Sequence, residues 1–534
     1  MMVVSAVWFV APAPGGLTFG LAPLACTPTS GPLYSDFNAD GYADVAIAIY
    51  SEDIGAEVDA GGANVIYGSA GGLQATGAGG PNDQFINQDF TGIDDTAEDN
   101  DNFGQSVAAG DFDGDDFADL AVGAWGEGGD TGVVHILYGG TGGLSASRGS
   151  AVEYFHQDRS DLTVGDGNQT GDRFGIALTA GDFNGNGFDD LAIGTDGEDT
   201  MGKTNVGAVY VMYGASGGLG TTGAQFWHQG VSGINGVLET GDALGRDVVA
   251  GHFNSDAFDD LAIGVELEDQ SMTVLDSGAV NVLYGSSSGL TATGNVFFTQ
   301  DTTDIAGDGA QQNDFFGREL AAGLFNSDTF DDLAIGAKAE DVNTTTDAGA
   351  VNVLFGSSSG LVAADSLYLH QDDGVLTGGL EQGDWLGRAL AAGDFDDDGA
   401  DELAIGVYRE DDAGHTDAGA LHVLQAGATP LSDEAFFWVK SDLGGSQATL
   451  DEMARGLDSA DYNGDGCNDL MIGIRNQEVV GDGGTKTDAG AAITVYGSAS
   501  GLDPTTSEPW NQGTSTDDVE DQAEDTDRFG WDFG

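Results

Sequence analysis

A nine-residue segment rich in oxygen-bearing side chains returns seven times along this sequence, at spacings of 67 to 75 residues. In most copies an acidic residue or asparagine stands at positions 1, 3, 5 and 9, and position 2 is always aromatic. Ca²⁺ takes roughly six to eight oxygen ligands, and alternate residues of a tight loop can point at one ion. We therefore expect calcium-binding loops among the seven segments, which are residues 36–44, 111–119, 182–190, 252–260, 324–332, 394–402 and 461–469.

Five of the seven copies keep a full set of ligand positions. Positions 1, 3, 5 and 9 offer side-chain oxygens, and position 7 offers its backbone carbonyl oxygen, so any residue type can stand there. Copy three has only two charged ligands and should bind more weakly. The sequence thus predicts about five Ca²⁺ ions, with these ligands: Asp36, Asn38, Asp40, Tyr42 and Asp44; Asp111, Asp113, Asp115, Phe117 and Asp119; Asp182, Asn184, Asn186, Phe188 and Asp190; Asp394, Asp396, Asp398, Ala400 and Glu402; Asp461, Asn463, Asp465, Cys467 and Asp469.

Copies four and five have lost position 1 to His252 and Leu324. They also carry Ala257 and Thr329 at position 6, where most other copies have glycine and a positive φ would be strained. We expect both to be hairpins without metal. For the other five, the alternative is a hairpin of Asx turns satisfied by water, and Mg²⁺ is less suitable because it demands near-octahedral geometry.

The composition is strongly acidic, with 90 Asp and Glu against 14 Lys and Arg and a net charge of −76. Phosphate binding needs a basic patch, so nucleic acid is not expected as a partner. A chain of this charge repels itself unless cations neutralise it. Together with the calcium loops, this favours a location outside the cell or on its surface.

The first 30 residues form an apolar leader, a candidate signal segment, ahead of one repeat domain at 31–534. Leu24-Ala25-Cys26 is similar to a bacterial lipoprotein cleavage site, which suggests a lipid anchor on Cys26, and a mis-assigned start codon is the alternative. Cys26 and Cys467 are the two cysteines, so we expect no disulfide framework. After residue 30 no uncharged apolar span of about 18 residues occurs, so no transmembrane helix is expected.

Each repeat predicts four short strands. In the fifth unit, apolar runs at 316–323, 333–336, 348–355 and 366–371 are separated by turn residues, and the third run alternates in the way of a strand. Four antiparallel strands per repeat of about 70 residues are typical of a propeller blade. We therefore predict an all-β fold, a seven-bladed β-propeller of four-stranded antiparallel blades.

The chain ends predict how the ring closes. Units two to seven open with Phe-Gly or a related pair eight residues before the loop, whereas the first loop has no such pair before it. The chain finishes on 528–534, which holds Phe529-Gly530 and is not followed by a loop. We expect this C-terminal strand to complete the first blade, because a closed ring leaves no open sheet edge.

These features resemble the FG-GAP repeats of the integrin α-subunit β-propeller. The resemblance covers residues 31 to 534 and rests on the Phe-Gly openings, the calcium segment, the LAIG run and the GAVxVxYG strand. It implies seven blades with Ca²⁺ in hairpin loops on one face and a role in ligand recognition and adhesion. The sequence lacks the integrin stalk, membrane span and inserted metal-binding domain, so the chain looks like a stand-alone relative of bacterial type.

Two recurring motifs are read as scaffold. A glutamine ends the fourth strand of most blades, for example in Trp227-His228-Gln229, and we expect it to bond the neighbouring blade rather than a carbohydrate. The GSSSG segments fit the nucleophile pattern G-x-S-x-G, but a nucleophile elbow needs a strand–turn–helix setting, and here the segment recurs between strands.

The leading functional hypothesis is a calcium-binding extracellular propeller for adhesion or surface recognition, without enzymatic activity, acting as a monomer on a protein or glycan ligand. The alternatives are an enzyme acting on polysaccharide or lipid and a structural surface-layer protein. An enzyme would need His, Arg or Lys side chains that converge at one end of the central channel.

Overall fold

The structure, a computed structural model, describes residues 26, 35–75, 83–93, 95–146, 153–412, 414–427, 430–481, 484–513, 519 and 523–534. The expected leader at 1–30 lies outside these residues except for Cys26. Among the described residues, no helix has the length and hydropathy that crossing a bilayer requires.

Seven antiparallel sheets follow one another along the chain and form the blades, which confirms the all-β, seven-bladed prediction. Helical structure in the described residues is limited to the short α1 (Glu127–Asp130) and a 3₁₀ turn (Pro504–Thr506). An extra hairpin, β26–β27, extends blade 7. The strands are β1 (Val45–Ile49), β2 (Gly62–Ile66) and β3 (Gln84–Ile86) in blade 1; β4 (Phe103–Gly110), β5 (Asp119–Ala124), β6 (Val133–Leu137) and β7 (Glu153–Phe155) in blade 2; β8 (Leu178–Gly181), β9 (Asp190–Thr195), β10 (Ala208–Tyr213) and β11 (Gly220–Trp227) in blade 3; β12 (Leu244–Gly251), β13 (Asp260–Val265), β14 (Ala279–Tyr284) and β15 (Thr291–Phe298) in blade 4; β16 (Phe316–Gly323), β17 (Asp332–Ala337), β18 (Ala350–Phe355) and β19 (Val362–Leu369) in blade 5; β20 (Leu386–Gly393), β21 (Glu402–Val407), β22 (Ala420–Gln425) and β23 (Asp433–Val439) in blade 6; and β24 (Met453–Ala460), β25 (Asp469–Ile474), β26 (Val479–Gly481), β27 (Gly484–Lys486), β28 (Ala491–Val495) and β29 (Glu508–Trp510) in blade 7.

The hydrophobic core lies between neighbouring blades. The second strand of each blade is buried along its whole length, as in β13 and β17, because it is covered on both faces. This burial explains why the sequence shows a continuous LAIG run there instead of an alternation. One apolar cluster joins Val351 and Leu369 of blade 5 to Leu403 and Ile405 of blade 6, so each blade completes the core of the next.

The Phe-Gly pair marks the contact between successive blades. Gly317 has φ of 86°, and a Cβ atom there would lie 2.4 Å from the carbonyl oxygen of Ala279 in the preceding blade. Phe316 is fully buried, and its backbone is bridged to Gly278 of that blade. Glycine thus permits the close approach of two backbones, while phenylalanine fills the core.

The C-terminal segment completes blade 1, as predicted. Ala46 N–H donates to the Gly534 carbonyl at 2.8 Å, and Ala48 N–H donates to the Asp532 carbonyl at 2.9 Å. Phe529, in the same segment, is bridged to Gly490 of blade 7. The last residues therefore supply the innermost strand of the first blade and close the ring.

A second ring of hydrogen bonds links the seven loops between the first and second strands. In each loop the N–H of position 8 donates to the carbonyl of position 1 in the preceding loop, at 2.9 to 3.2 Å. The seven pairs, donor first, are Ala118–Asp36, Asp189–Asp111, Asp259–Asp182, Asp331–His252, Asp401–Leu324, Asn468–Asp394 and Ala43–Asp461.

Candidate functional site

The carboxylate at position 9 of each loop is buried and held by backbone. Asp119 accepts hydrogen bonds from Phe112 N–H at 3.0 Å and from Gly139 N–H at 2.9 Å. Burial raises the pKa of Asp119 to about 8. The same bond from the turn after the third strand is present in all seven copies, including Asp260 and Asp332 of copies four and five. Position 9 therefore has a structural role whether or not metal is bound.

Position 1 organises the tip of the loop in the five copies that have an aspartate there. The Asp111 carboxylate accepts from the N–H groups of Asp115 and Asp116, each at 3.2 Å. Asp115 in turn accepts from Phe117 N–H at 3.2 Å. Equivalent bonds to position 1 recur in copies one, three, six and seven.

Backbone conformation divides the seven loops into the same five and two as the sequence. Positions 4 and 6 have a positive φ, between 52° and 99°, in copies one, two, three, six and seven. Ser255, Ala257, Ser327 and Thr329 occupy these positions in copies four and five, and none of them has a positive φ. Asp116 takes the glycine position of copy two with φ of 68°. The two copies without an aspartate at position 1 are thus hairpins of a different shape.

Copies two and six bring three carboxylates together. Oxygens of Asp111, Asp113 and Asp115 lie within 4.8 Å of one another, and so do those of Asp394, Asp396 and Glu402. In copy three, by contrast, the Asn184 amide nitrogen donates to both Asp190 oxygens, at 3.0 and 2.9 Å. Asn463 donates to Asp469 in the same way in copy seven, at 3.1 and 3.2 Å. These two asparagines must turn their amides over to act as ligands.

The donor sets fit a hard cation. All predicted ligands are oxygens, and copies two and six already hold them at the spacing that one ion bridges. A bound Ca²⁺ would relieve the repulsion among these carboxylates. Ca²⁺ binding at each of the five copies stays a prediction.

Position 8 has a role that the sequence reading missed. The Asp189 carboxylate accepts from Asp111 N–H of the preceding loop at 2.8 Å, and Asp259 accepts from Asp182 N–H at 2.7 Å. Asp331 and Asp401 act in the same way on copies four and five. The recurring Asp-Asp pair at positions 8 and 9 was the available signal.

The cysteines correct the sequence reading. Cys26 forms a disulfide with Cys467, with Cα atoms 5.6 Å apart, so the expectation of no disulfide is wrong. The bond ties the segment before blade 1 to position 7 of loop seven and leaves the Cys467 carbonyl available as a ligand. A lipid on Cys26 would need the same sulfur, so the disulfide and the suggested lipid anchor exclude each other.

Basic side chains gather in the central channel. The innermost strands line a cavity of about 210 Å³. An arginine follows the Phe-Gly pair or its equivalent in blades 4 to 7, and all four arginines line this cavity: Arg246, Arg318, Arg388 and Arg455.

Nine of the 14 basic residues of the chain surround this end of the channel, which we call the basic mouth. Six carboxyls are interspersed among them. The basic members are Arg173, Arg246, Arg318, Lys338, Arg388, Arg409, Arg455, Arg475 and Arg528, and the acidic ones are Asp196, Asp247, Glu266, Glu319, Glu452 and Asp532.

Ion pairs and aromatic rings hold the basic mouth together. Glu266 contacts Arg318 at 3.0 Å and Lys338 at 2.9 Å. Arg409 lies 4.2 Å above the ring of Trp385. Arg455 lies 4.0 Å above Trp531 and has no ion pair with a described carboxylate. Several cations are therefore held by stacking and remain open to an anion.

Burial is the largest cause of the lowered arginine pKa values in the basic mouth, and a neighbouring arginine is the second. Burial and then the neighbouring Arg318 lower the pKa of Arg388 to about 10. Burial and then Arg388 hold the pKa of Arg455 well below its usual range. Burial alone would raise the pKa of Glu266, but Arg318, Lys338 and Arg246 outweigh it and lower that pKa to about 2. An anion placed here would relieve the repulsion.

The other candidate motifs are structural, as predicted. None of the seven histidines, all of which are described, lines the channel. Ser287 and Ser358, the serines at the nucleophile position of G-x-S-x-G, lie in turns between the third and fourth strands, where each is bridged to the closing glycine, Gly289 or Gly360. The Gln229 amide donates to Glu268 of the next blade at 2.7 Å.

Comparison with known proteins identifies the repeats. The FG-GAP repeat model matches residues 103–137, 174–212 and 386–424. Integrin alpha-PS2 of Drosophila melanogaster is 28% identical over 297 residues, which is 52% of this chain and 19% of that protein. Phosphatidylinositol-glycan-specific phospholipase D of Bos taurus is 31% identical over 167 residues, which is 31% of this chain and 18% of that protein. The chain spans less than a fifth of either relative.

Among solved structures, the V. cholerae biofilm matrix protein Bap1 aligns with 85% of this chain and 84% of that chain at 12% identity, but its TM-score of 0.19 supports no inference. The blades, the Phe-Gly contacts and the sequence matches lead to one conclusion. The chain contains FG-GAP repeats, and its propeller is similar to that of integrin α subunits.

Proposed function

We propose that this propeller is an extracellular recognition protein that binds an anionic group of a protein or glycan at the basic mouth. One observation carries the proposal: nine of 14 basic residues lie around this end of the channel in a chain of net charge −76. A chain that has so few cations and places most of them around one end of the channel, four of them lining its cavity, is suited to bind an anion there.

The chemistry of the basic mouth suits carboxylate, sulfate or phosphate. A guanidinium presents a planar fork of donors that matches these groups in pairs. Trp125 and Trp385 are half-buried, and an indole ring offers a broad apolar face. A sugar ring can stack on such a face while its acidic substituent meets the arginines. An acidic glycan or an acidic protein loop therefore fits the cavity.

The hairpin loops are proposed to hold Ca²⁺ at the other end of the channel. Each innermost strand runs from the basic mouth to a loop, and eight residues at about 3.3 Å each separate the two by roughly 25 Å. Calcium there would rigidify the scaffold without touching the ligand. This arrangement favours a calcium-rich exterior, in agreement with the similarity to an integrin α subunit.

The test is binding of the calcium-loaded protein to an array of sulfated, uronic-acid and neutral glycans. We expect acidic glycans to bind and Arg409→Gln to weaken binding at least about tenfold, since a hydrogen bond to a charged group contributes about 1.5–3 kcal/mol. Arg159→Gln is the matched control, because Arg159 pairs with Asp161 away from the channel. Equal loss in both variants, or a preference for neutral glycans, would contradict the proposal.

An enzyme acting on acidic polysaccharide or lipid is the second candidate. The basic mouth supplies the convergence of Arg and Lys that this alternative requires, and phospholipase D sequences are among the relatives. Burial lowers the pKa of Lys338 to about 8, near that of a general base. Incubation with polyuronate and glycosylphosphatidylinositol, followed by product analysis, tests it. Product formation that Lys338→Met abolishes would favour the enzyme. If no product forms, the recognition protein is the hypothesis that remains.

A further inference from the structure

A repeated polar pocket lies between successive blades. At six of the seven interfaces, a glutamine after the fourth strand of one blade contacts a glutamate that follows the second strand of the next blade. A buried aspartate two residues before the Phe-Gly pair belongs to the same pocket. The six Gln, Glu and Asp sets are Gln88, Glu127 and Asp101; Gln157, Glu198 and Asp172; Gln229, Glu268 and Asp242; Gln300, Glu340 and Asp314; Gln371, Glu410 and Asp384; and Gln512, Glu52 and Asp527.

Buried oxygens in these pockets lack donors. Between blades 2 and 3, Gln157, Glu198 and Asp172 are 4%, 0% and 1% exposed. Gln157 Oε1, Glu198 Oε1 and Asp172 Oδ1 are all without a hydrogen-bond partner. The other Asp172 oxygen accepts from Gln169 N–H at 2.6 Å. Asp166, at the rim, lies within hydrogen-bonding reach of Glu198, which brings a third carboxyl to the pocket.

Two further interfaces show the same arrangement. Between blades 4 and 5, Gln300 Oε1 and Asp314 Oδ1 are buried without partners. Between blades 7 and 1, oxygens of Glu52, Glu524 and Asp527 lie within 4.8 Å of one another. Unpaired acceptor oxygens and crowded carboxyls call for either a proton or a cation, because a buried charge is costly unless it is neutralised, paired or bound to a metal.

The seventh interface supplies that positive group from the chain itself. Between blades 6 and 7, Lys440 stands in place of the glutamine and is 3% exposed. Its ammonium donates to Asp451 at 2.9 Å and also to Gln477, which stands in place of the glutamate.

The surrounding acids change together with this lysine. Each of the other six aspartates is preceded by an acidic residue three or six positions earlier, as Asp172 is by Asp166 and Asp242 is by Glu239. Asp451 has Ala448 and Gly445 at those positions. At the interface that contains the Lys440 ammonium, two carboxyls are therefore absent: Gln477 replaces the glutamate, and no acidic residue precedes Asp451 at these positions. In the part of the chain that the structure describes, no lysine or arginine takes the glutamine position of the other six pockets, which keep their carboxyls.

We propose that the pocket between blades 2 and 3, and its equivalents at five other interfaces, binds a divalent cation, Ca²⁺, independently of the hairpin loops. Every donor in the pocket is an oxygen, and carboxylate and amide oxygens are ligands that Ca²⁺ accepts. The ion would take the place that the Lys440 ammonium occupies at the seventh interface. It would join the end of one blade to the second–third strand connection of the next.

The natural exception provides the test. The double variant Gln157→Lys with Glu198→Gln copies Lys440 and Gln477 into the pocket between blades 2 and 3, so it should fold. Native mass spectrometry in calcium should show one ion fewer than in the unaltered protein. The reverse double variant, Lys440→Gln with Gln477→Glu, should bind one ion more.

The control is Asp111→Ala in loop two, combined with the first double variant. Because the two sites are independent, the combined protein should lose a second ion. Unchanged ion counts in both interface variants would overturn the proposal, and so would a pocket that gains protons instead of Ca²⁺. The latter would appear as an unchanged count together with a pH-dependent melting temperature that the Lys–Gln variant abolishes.

Discussion

Closure of the ring by the C-terminal strand should be decisive for stability. Removing residues 528–534 eliminates six backbone hydrogen bonds to the rest of the chain, for example Phe529 N–H to the Ala489 carbonyl at 2.9 Å. It also removes Phe529 and Phe533, which are 0% and 7% exposed. At about 1 kcal/mol for each bond and about 2 kcal/mol for each phenylalanine, the loss is about 10 kcal/mol.

A loss of this size is comparable to the free energy of unfolding of a typical domain, about 5–15 kcal/mol. The truncated chain should therefore unfold or aggregate, although short terminal deletions are usually tolerated. Phe529→Ala gives a graded version, because loss of a buried phenylalanine costs about 3–5 kcal/mol. Met272→Ala, at a residue 96% exposed, is the control.

The assay is thermal and urea unfolding followed by circular dichroism, with calcium present throughout. We expect Met272→Ala to be the most stable of the three proteins, Phe529→Ala to be less stable, and the truncated chain to be the least stable. A truncated chain with an unchanged melting temperature would refute closure by this strand as a source of stability.

Three further predictions concern the hairpin loops. Asp111→Ala should remove one of about five loop-bound Ca²⁺ ions, whereas Leu324→Ala at the same loop position should remove none. Equal numbers of bound Ca²⁺ ions in the two variants, measured by native mass spectrometry, would contradict the loop assignment. Chelator should lower the melting temperature, and calcium should restore it better than NaCl of equal ionic strength, because salt screens only long-range repulsion; equal rescue would mean that the loops are not specific sites. In chelator, the free energy of unfolding should fall between about pH 4 and 8. The reason is that the pKa of Asp119 rises from 3.8 to about 8 on folding, and the proton bound to the folded state is lost as the pH rises. A melting temperature that rises over this range would disprove the prediction.

The sequence predicted the repeating architecture well because the residues that specify the strands of a blade lie within one repeat. The Phe-Gly pair, the apolar LAIG run and the loop all lie within one repeat, and a seven-fold recurrence removes the ambiguity of any single copy. The division of the loops into two backbone shapes was also visible in the sequence, since His252 and Leu324 replace the aspartate of position 1. In the same two loops, Ser255 and Ser327 lack the positive φ that the other five loops have at position 4.

Features that join distant segments were not predictable. The Cys26–Cys467 disulfide links residues 441 apart in sequence, and only the closed ring brings them together. The orientation of the Asn184 amide depends on hydrogen bonding to Asp190, which residue types alone do not fix. Arg318 and its counterparts were visible in the sequence. Their convergence was not, because it depends on how the innermost strands of all the blades are arranged around the channel.

The concentration of cations in the basic mouth has a kinetic consequence. The basic mouth holds nine basic and six acidic residues, whereas the whole chain has 90 acidic residues against 14 basic ones. An approaching anion therefore meets a repulsive field at long range and attraction only within the channel. Salt weakens the repulsion over a distance of about 8–10 Å at physiological strength, whereas contacts inside the cavity are screened less. The association rate of an anionic ligand should thus rise with ionic strength, opposite to the usual effect of electrostatic steering, and surface plasmon resonance across a salt series would measure it.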